Sequence, residues 1–233
     1  MDTDAARLGR LRTAVNAAAC LHEAEIHRGG YRWYPVMVTL TYADIGVASP
    51  RDITEFHKRV RQHLKRRGIR YRFVWVGELQ QRGALHYHVI IWMPWGERLP
   101  KPDRQGWWTH GSTNIKAARC GVRYICKYAT KLRSKLGSLQ HTYPAHFRMH
   151  GAGGLDECSR EERAHVLLPS WIRLVTQPGE RLRRCTGGFF ATATGEFYRA
   201  IYAVDRIVRR PGGGALIHLR SLYPGAHYPC PSL

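Results

Sequence analysis

Carboxylates are scarce in this chain. Its 17 Asp and Glu stand against 37 Lys and Arg, a formal balance of +20 over 233 residues. That excess is far beyond what solubility requires and points to a polyanionic partner, nucleic acid before an anionic membrane surface. Long apolar runs are missing as well. None approaches the roughly 18 residues a spanning helix needs, and the basic residues are spread along the chain, so no membrane role is expected. Cys20, Cys120, Cys126, Cys158, Cys185 and Cys230 include no Cys-x-x-Cys pair, which argues against a zinc knuckle. They read as reduced thiols of a cytosolic protein rather than a disulfide framework. The N-terminal stretch carries Asp2, Asp4 and three early arginines among spaced apolar residues, unlike a signal peptide. No Gly-x-x-x-x-Gly-Lys-[Ser/Thr] occurs, so the chain carries no P-loop motor.

What is present reads as an α+β domain. Leu8, Leu11, Ala14, Val15, Ala18 and Leu21 recur at helical spacing and predict an amphipathic helix over residues 4–27. "YPVMVTLTY" (34–42) is β-branched and aromatic and predicts a buried strand. Ser49, Pro50 and Asp52 then mark a helix start. Ile53, Phe56, Val60 and Leu64 make its apolar stripe, and Gly68 its end. "YRFVWVGEL" and "ALHYHVIIWMP" predict a hairpin, "STNIKAA" a short strand, and "RCGVRYICKYATKLRSKL" a helix. Strand, helix, hairpin, strand, helix is the order of an RRM-like or ferredoxin-like antiparallel sheet with helices on one face. Residues 1–136 are expected to form this domain and 137–233 an extension of uncertain role. In that extension "HGAGG" suggests a Gly-rich turn, and "GGFFATATGEFYRAIYAV" a hairpin turning at Thr194-Gly195.

The hairpin carries the first chemical signal. Alternation puts His86 and His88 on one strand face with Tyr87 on the other. Among thirteen histidines a lone His-x-His is weak evidence; the turn strengthens it. A three-residue loop Gln81-Arg82-Gly83 with glycine last fits a type I turn followed by a left-handed residue. Such a loop sets Gln80 opposite Ala84, and therefore Glu78 opposite His86 on the same face. A loop of two residues would turn Glu78 away. Two imidazoles and a carboxylate suit Mg²⁺ or Mn²⁺ acting on phosphate, and could hold Zn²⁺. A solvent-facing hairpin with incidental histidines is the alternative.

The second signal is "YICKYATK" (124–131). At 100° per residue Tyr124, Tyr128, Lys127 and Lys131 share an arc of roughly 100°, while Val122, Ile125, Ala129 and Leu132 supply another, apolar face. Tyrosine can act as a covalent nucleophile, and neighbouring lysines would favour its phenolate and screen a phosphate. The alternative is a basic helix lying on a nucleic-acid backbone, its tyrosines packing or stacking. Trp92, Trp95, Trp107 and Trp108 could stack unpaired bases or simply pack.

"VTLTY", "HYH" and "YICKYATK", in that order over about residues 34–134, resemble the three motifs of the HUH endonucleases, the rolling-circle replication initiators and their relatives. The context "ELQQRGALHYHV" and "WWTHGST" is most similar to the initiators of filamentous bacteriophages and small mobile replicons. The resemblance implies a metal held by His86 and His88 with Glu78 as third ligand, and a nucleophilic tyrosine, Tyr124 or Tyr128 or both, each followed at three residues by a lysine, Lys127 or Lys131. It implies a 5′-phosphotyrosine intermediate on single-stranded origin DNA, a free 3′ hydroxyl for a polymerase, and a host helicase, all in the bacterial host cytoplasm. A two-tyrosine HUH transposase, a hydrolytic metalloenzyme using water, and a non-enzymatic basic nucleic-acid-binding protein are the competing readings. Oligomeric state is not legible.

Overall fold

The computed structural model describes residues 3–30, 32–80, 82–136, 147–209 and 215–222, the side chains at 3–4 and 130–136 excepted. The chain forms two units, one of Ala14–Asp156 and one of Met1–Thr13 with Glu157–Leu233. Helix α1 (Thr3–Arg28) contributes to both.

In the first unit, β1 (Trp33–Thr41), α2 (Pro50–Arg66), β2 (Arg72–Leu79), β3 (Leu85–Pro94), β4 (Thr113–Ala117) and α3 (Gly121–Leu136) follow in the predicted order. The sheet runs β4-β1-β3-β2-β5, where β5 is His150–Gly153, and each neighbouring pair is antiparallel. This is the expected α+β class. α2 starts as its sequence predicts: Ser49 caps it, the Asp52 carboxylate accepts the Ser49 N–H at 2.9 Å, and Pro50 occupies the first turn.

The two sheet faces are both clad, where the sequence suggested helices on one. Ile53, Phe56, Val60 and Leu64 of α2 pack into one core cluster with Val38, Phe73, Trp75, Tyr87 and Val89. The other face carries Met37, Val74, Val76, Ile90 and Trp92, all buried. α1 and α3 cover it: the His22 ring lies 4.7 Å from that of Trp92. A Cβ added at Gly121 would stand 3.1 Å from Pro35 and Trp92. So many apolar groups facing away from α2 need a second cover.

"HGAGG" forms a strand, with the turn confined to Gly154 at φ +87°. The glycines are there for space rather than for bending. A Cβ on Gly151 would lie 2.5 Å from Trp75 Nε1, and one on Gly153 2.7 Å from the Phe73 ring, so β5 can pair with β2 only without side chains at these positions.

The second unit holds α4 (Glu157–Val166), α5 (Ser170–Arg173), a three-stranded sheet of β6 (Leu182–Cys185), β7 (Gly188–Ala191) and β8 (Phe197–Arg199), and a two-stranded ribbon of β9 (Tyr202–Arg209) with β10 (Ala215–Ser221). The β7–β8 turn carries Gly195 at φ +77°, where the sequence predicts it. Among the described residues no disulfide joins Cys20, Cys120, Cys126, Cys158 or Cys185, while Cys230 lies outside them. No described helix is long and apolar enough to cross a membrane.

Candidate active site

The β2–β3 hairpin closes as its glycine dictates. Gly83 takes φ +85°, the Gln80 N–H donates to Ala84 O at 2.9 Å, and the Gly83 N–H donates to Gln80 O at 3.0 Å. Gln81 lies outside the described residues. Arg82 reaches back from the turn to donate to the carbonyls of Tyr42 and Ala43, tying the hairpin end to the chain that leaves β1. The register that results pairs Glu78 with His86 and Val76 with His88.

Side chains on this face meet diagonally. Glu78 stands across from His86, yet its Oε2 lies 3.1 Å from His88 Nε2. Glu78 and His88 are each 6 % exposed, so the contact is shielded from water. The other ring nitrogen, Nδ1, lies 3.4 Å from Thr39 Oγ1 on β1, which is opposite His88 in the ladder. His86 is half-buried on the same face, its ring centroid 6.4 Å from that of His88.

The helix brings one tyrosine to this place. Ile125 and Ala129 are buried, seating α3 on the sheet. The ring of Tyr128 then stacks on His88 at 3.6 Å with 18° between planes. Tyr124 projects one turn earlier and is 37 % exposed. Sequence reasoning expects the lysines to favour the Tyr128 phenolate; instead its pKa is raised, first by burial and then by the nearby Tyr124 and Glu78. Lys127 is exposed, and the side chain of Lys131 lies outside the described residues.

Whether a divalent ion suits these residues is decided by donor type and spacing. Ligands at about 2.1 Å on adjacent octahedral positions stand about 3.0 Å apart, and the Nε2–Oε2 pair meets that spacing. A hydroxyl at the far ring nitrogen is the usual support that orients a ligating imidazole. Among the described residues no group of three His, Cys, Asp or Glu is gathered closely enough to hold a metal, so His86 must turn toward the pair to complete a set of three. The donor set fits a hard or borderline ion in kind, and two of its members already have the spacing.

Three residues on this face carried no local signal. Thr39 follows from "VTLTY" only once β1 is known to pair with β3 in this register. Asn114 on β4 pairs with Thr39, and His150 on β5 pairs with Val76, so Asn114, Thr39, His88, Val76 and His150 form one row across the sheet. Of the four tryptophans, Trp92 and Trp108 are buried in the fold and Trp107 packs on His63. Trp95 is 65 % exposed, with the Arg32 guanidinium 4.9 Å above its ring.

No curated protein and no solved structure matches the chain. Residues 35–133, which run from β1 into α3 and contain every residue of the site described above except His150, match the Replication-associated protein ORF2 family.

Proposed function

We propose that this chain is a rolling-circle replication initiator that nicks and rejoins one DNA strand, with Tyr128 as the first nucleophile and Tyr124, one helical turn back, as the second. The observation that carries the reading is the Tyr128 ring stacked at 3.6 Å on His88, whose edge meets Glu78. The similarity of residues 35–133 to replication-associated proteins and the net charge of +20 support it.

In the step proposed, the Tyr128 oxygen attacks the phosphorus of one strand. A bond forms from that oxygen to phosphorus, the bond from phosphorus to the 3′ oxygen breaks, and the phenolic proton ends on the 3′ hydroxyl. One phosphodiester replaces another, so the reverse reaction can reseal the strand without an external energy source. Stacking on His88 holds the phenol at the sheet surface. Glu78, His88 and His86 would hold Mg²⁺ or Mn²⁺, which when bound draws electron density from the scissile phosphate. Lys127 and Lys131 would offset the burial that raises the phenol's pKa. Unwinding and synthesis would fall to a host helicase and polymerase in the bacterial cytoplasm.

Incubation with a pool of single-stranded oligonucleotides of randomised sequence and Mn²⁺, followed by a denaturing gel, tests this reading. A protein–DNA adduct that disappears with EDTA or in His86→Ala/His88→Ala is expected. Adduct formation indifferent to metal, or none from any oligonucleotide, contradicts it and favours a protein that only binds nucleic acid.

A further inference from the structure

We propose that the outer face of α2 is a second DNA surface, which takes the phosphate backbone of duplex DNA on the side of the sheet opposite Glu78, His88 and Tyr128.

The helix has two acids, and both are engaged. Asp52 accepts from the Ser49 N–H and the Tyr42 hydroxyl, and Glu55 pairs with Lys58 at 3.7 Å. After Glu55 the sequence contains no Asp or Glu until Glu78, while Lys58, Arg59, Arg61, Lys65, Arg66, Arg67 and Arg70 intervene. All seven are exposed. Arg59 donates to the Gly106 carbonyl and Arg67 pairs with Glu97. Arg61, Lys65 and Arg66 make no ion pair among the described residues.

Lys58, Arg61 and Lys65 fall within about 60° of one another on the helix and span about 10 Å of its axis. That matches the rise of about three phosphates along one strand of a duplex. A helix face kept only for solubility mixes signs at spacings of three and four, because like charges there destabilise the helix. The dipole at the C-terminus accounts for Lys65 and Arg66 in the last turn but not for Lys58 and Arg61. A polyanion laid along the face removes the repulsion.

The inner residues of α2 pack on the sheet face that carries Phe73, Trp75, Tyr87 and Val89. Glu78, His88 and Tyr128 lie on the other face, so the sheet and the helix layer stand between the two surfaces, about 15 Å of protein. A straight duplex on α2 cannot also enter the site. The arrangement suits a substrate in which duplex and single strand meet, such as a fork or a hairpin, with each part held on its own face.

The choice of DNA rests on the proposed function, but the test involves binding alone, so it can fail while the nicking reading stands. Binding of a blunt 20-base-pair duplex is measured by fluorescence anisotropy over a range of salt concentrations. The variants are Arg61→Gln/Lys65→Gln/Arg66→Gln and, as a control of equal charge change, Arg7→Gln/Arg10→Gln/Arg12→Gln. The α2 variant is expected to flatten the slope of log K against log salt by about 2.7, three phosphate contacts at about 0.9 each. The control is expected to flatten it by less than 1, and Arg61→Lys/Arg66→Lys, which keeps the charge and guards against misfolding, is expected to retain the wild-type slope. Equal losses in both triple variants, or none in the α2 variant, overturn the proposal. So does an α2 variant that loses binding to phosphatidylserine vesicles but not to the duplex.

Discussion

The imidazole of His88 touches three things at once: the Glu78 carboxylate at one ring nitrogen, the Thr39 hydroxyl at the other, and the Tyr128 ring on its face. A ring held on three sides has one orientation, which a ligand or a nucleophile's support requires. Thr39 is the weakest of these contacts at 3.4 Å, and its removal tests the arrangement with little disturbance of shape. Thr39→Val is expected to weaken Mn²⁺ binding about 10-fold or more, measured by titration calorimetry, with Thr39→Ser close to wild type. Equal affinity in Thr39→Val would show that the hydroxyl does not orient the ring. His86, His88 and Glu78 were legible because strand alternation and the left-handed Gly83 are local signals. Thr39 was not, since the pairing of β1 with β3 spans some fifty residues and no short motif marks its register. Nor could helical angles separate Tyr124 from Tyr128, which differ by one turn; the seating of Ile125 and Ala129 on the sheet decides which phenol meets His88.

At the scale of elements, α2 and α1 each bury a histidine against the sheet. His57 stacks on Phe73 at 4.1 Å with its Nδ1 2.7 Å from the Tyr71 hydroxyl. Burial first, and the charge of Arg61 second, lower its pKa to about 3. His22, against Trp92, is lowered to about 4, chiefly by burial. Both folded-state values lie below the unfolded value of about 6.5, so below that pH the unfolded chain takes up protons that the native chain refuses. The stabilisation is complete above about pH 6.5 and is lost as pH falls toward 4 and then 3. Each group contributes about 1.4 kcal/mol per pH unit, hence about 4 kcal/mol for the pair between pH 6.5 and 5. Urea unfolding at pH 7 and pH 5 should show a midpoint that drops by the corresponding amount, and equal midpoints would contradict neutral burial of these rings. The apolar stripe of α2 was plain in sequence at Ile53, Phe56, Val60 and Leu64. β5 was not, because glycines that clear space for Trp75 and Phe73 look the same in sequence as glycines that turn a chain.

For the molecule as a whole, the +20 balance resolves into surfaces. α2 concentrates cations behind the sheet, while the site face presents the buried His88–Glu78 pair with Tyr128 against it. Composition could announce a polyanionic partner but not where it would lie, since position depends on which sheet face each helix covers. The second unit, with its three-stranded sheet and β9–β10 ribbon, carries no group that the proposed reaction uses. The central claim, that α3 supplies the nucleophile and that Tyr128 leads, is tested most directly by mapping the DNA-linked peptide. An oligonucleotide that forms the adduct is incubated with the wild-type protein, Tyr124→Phe and Tyr128→Phe, and the attached residue is located by mass spectrometry after proteolysis. The account predicts attachment at Tyr128 in wild type and Tyr124→Phe, and at least a 100-fold loss of first cleavage in Tyr128→Phe. Attachment outside α3, or undiminished first cleavage by Tyr128→Phe, would contradict it.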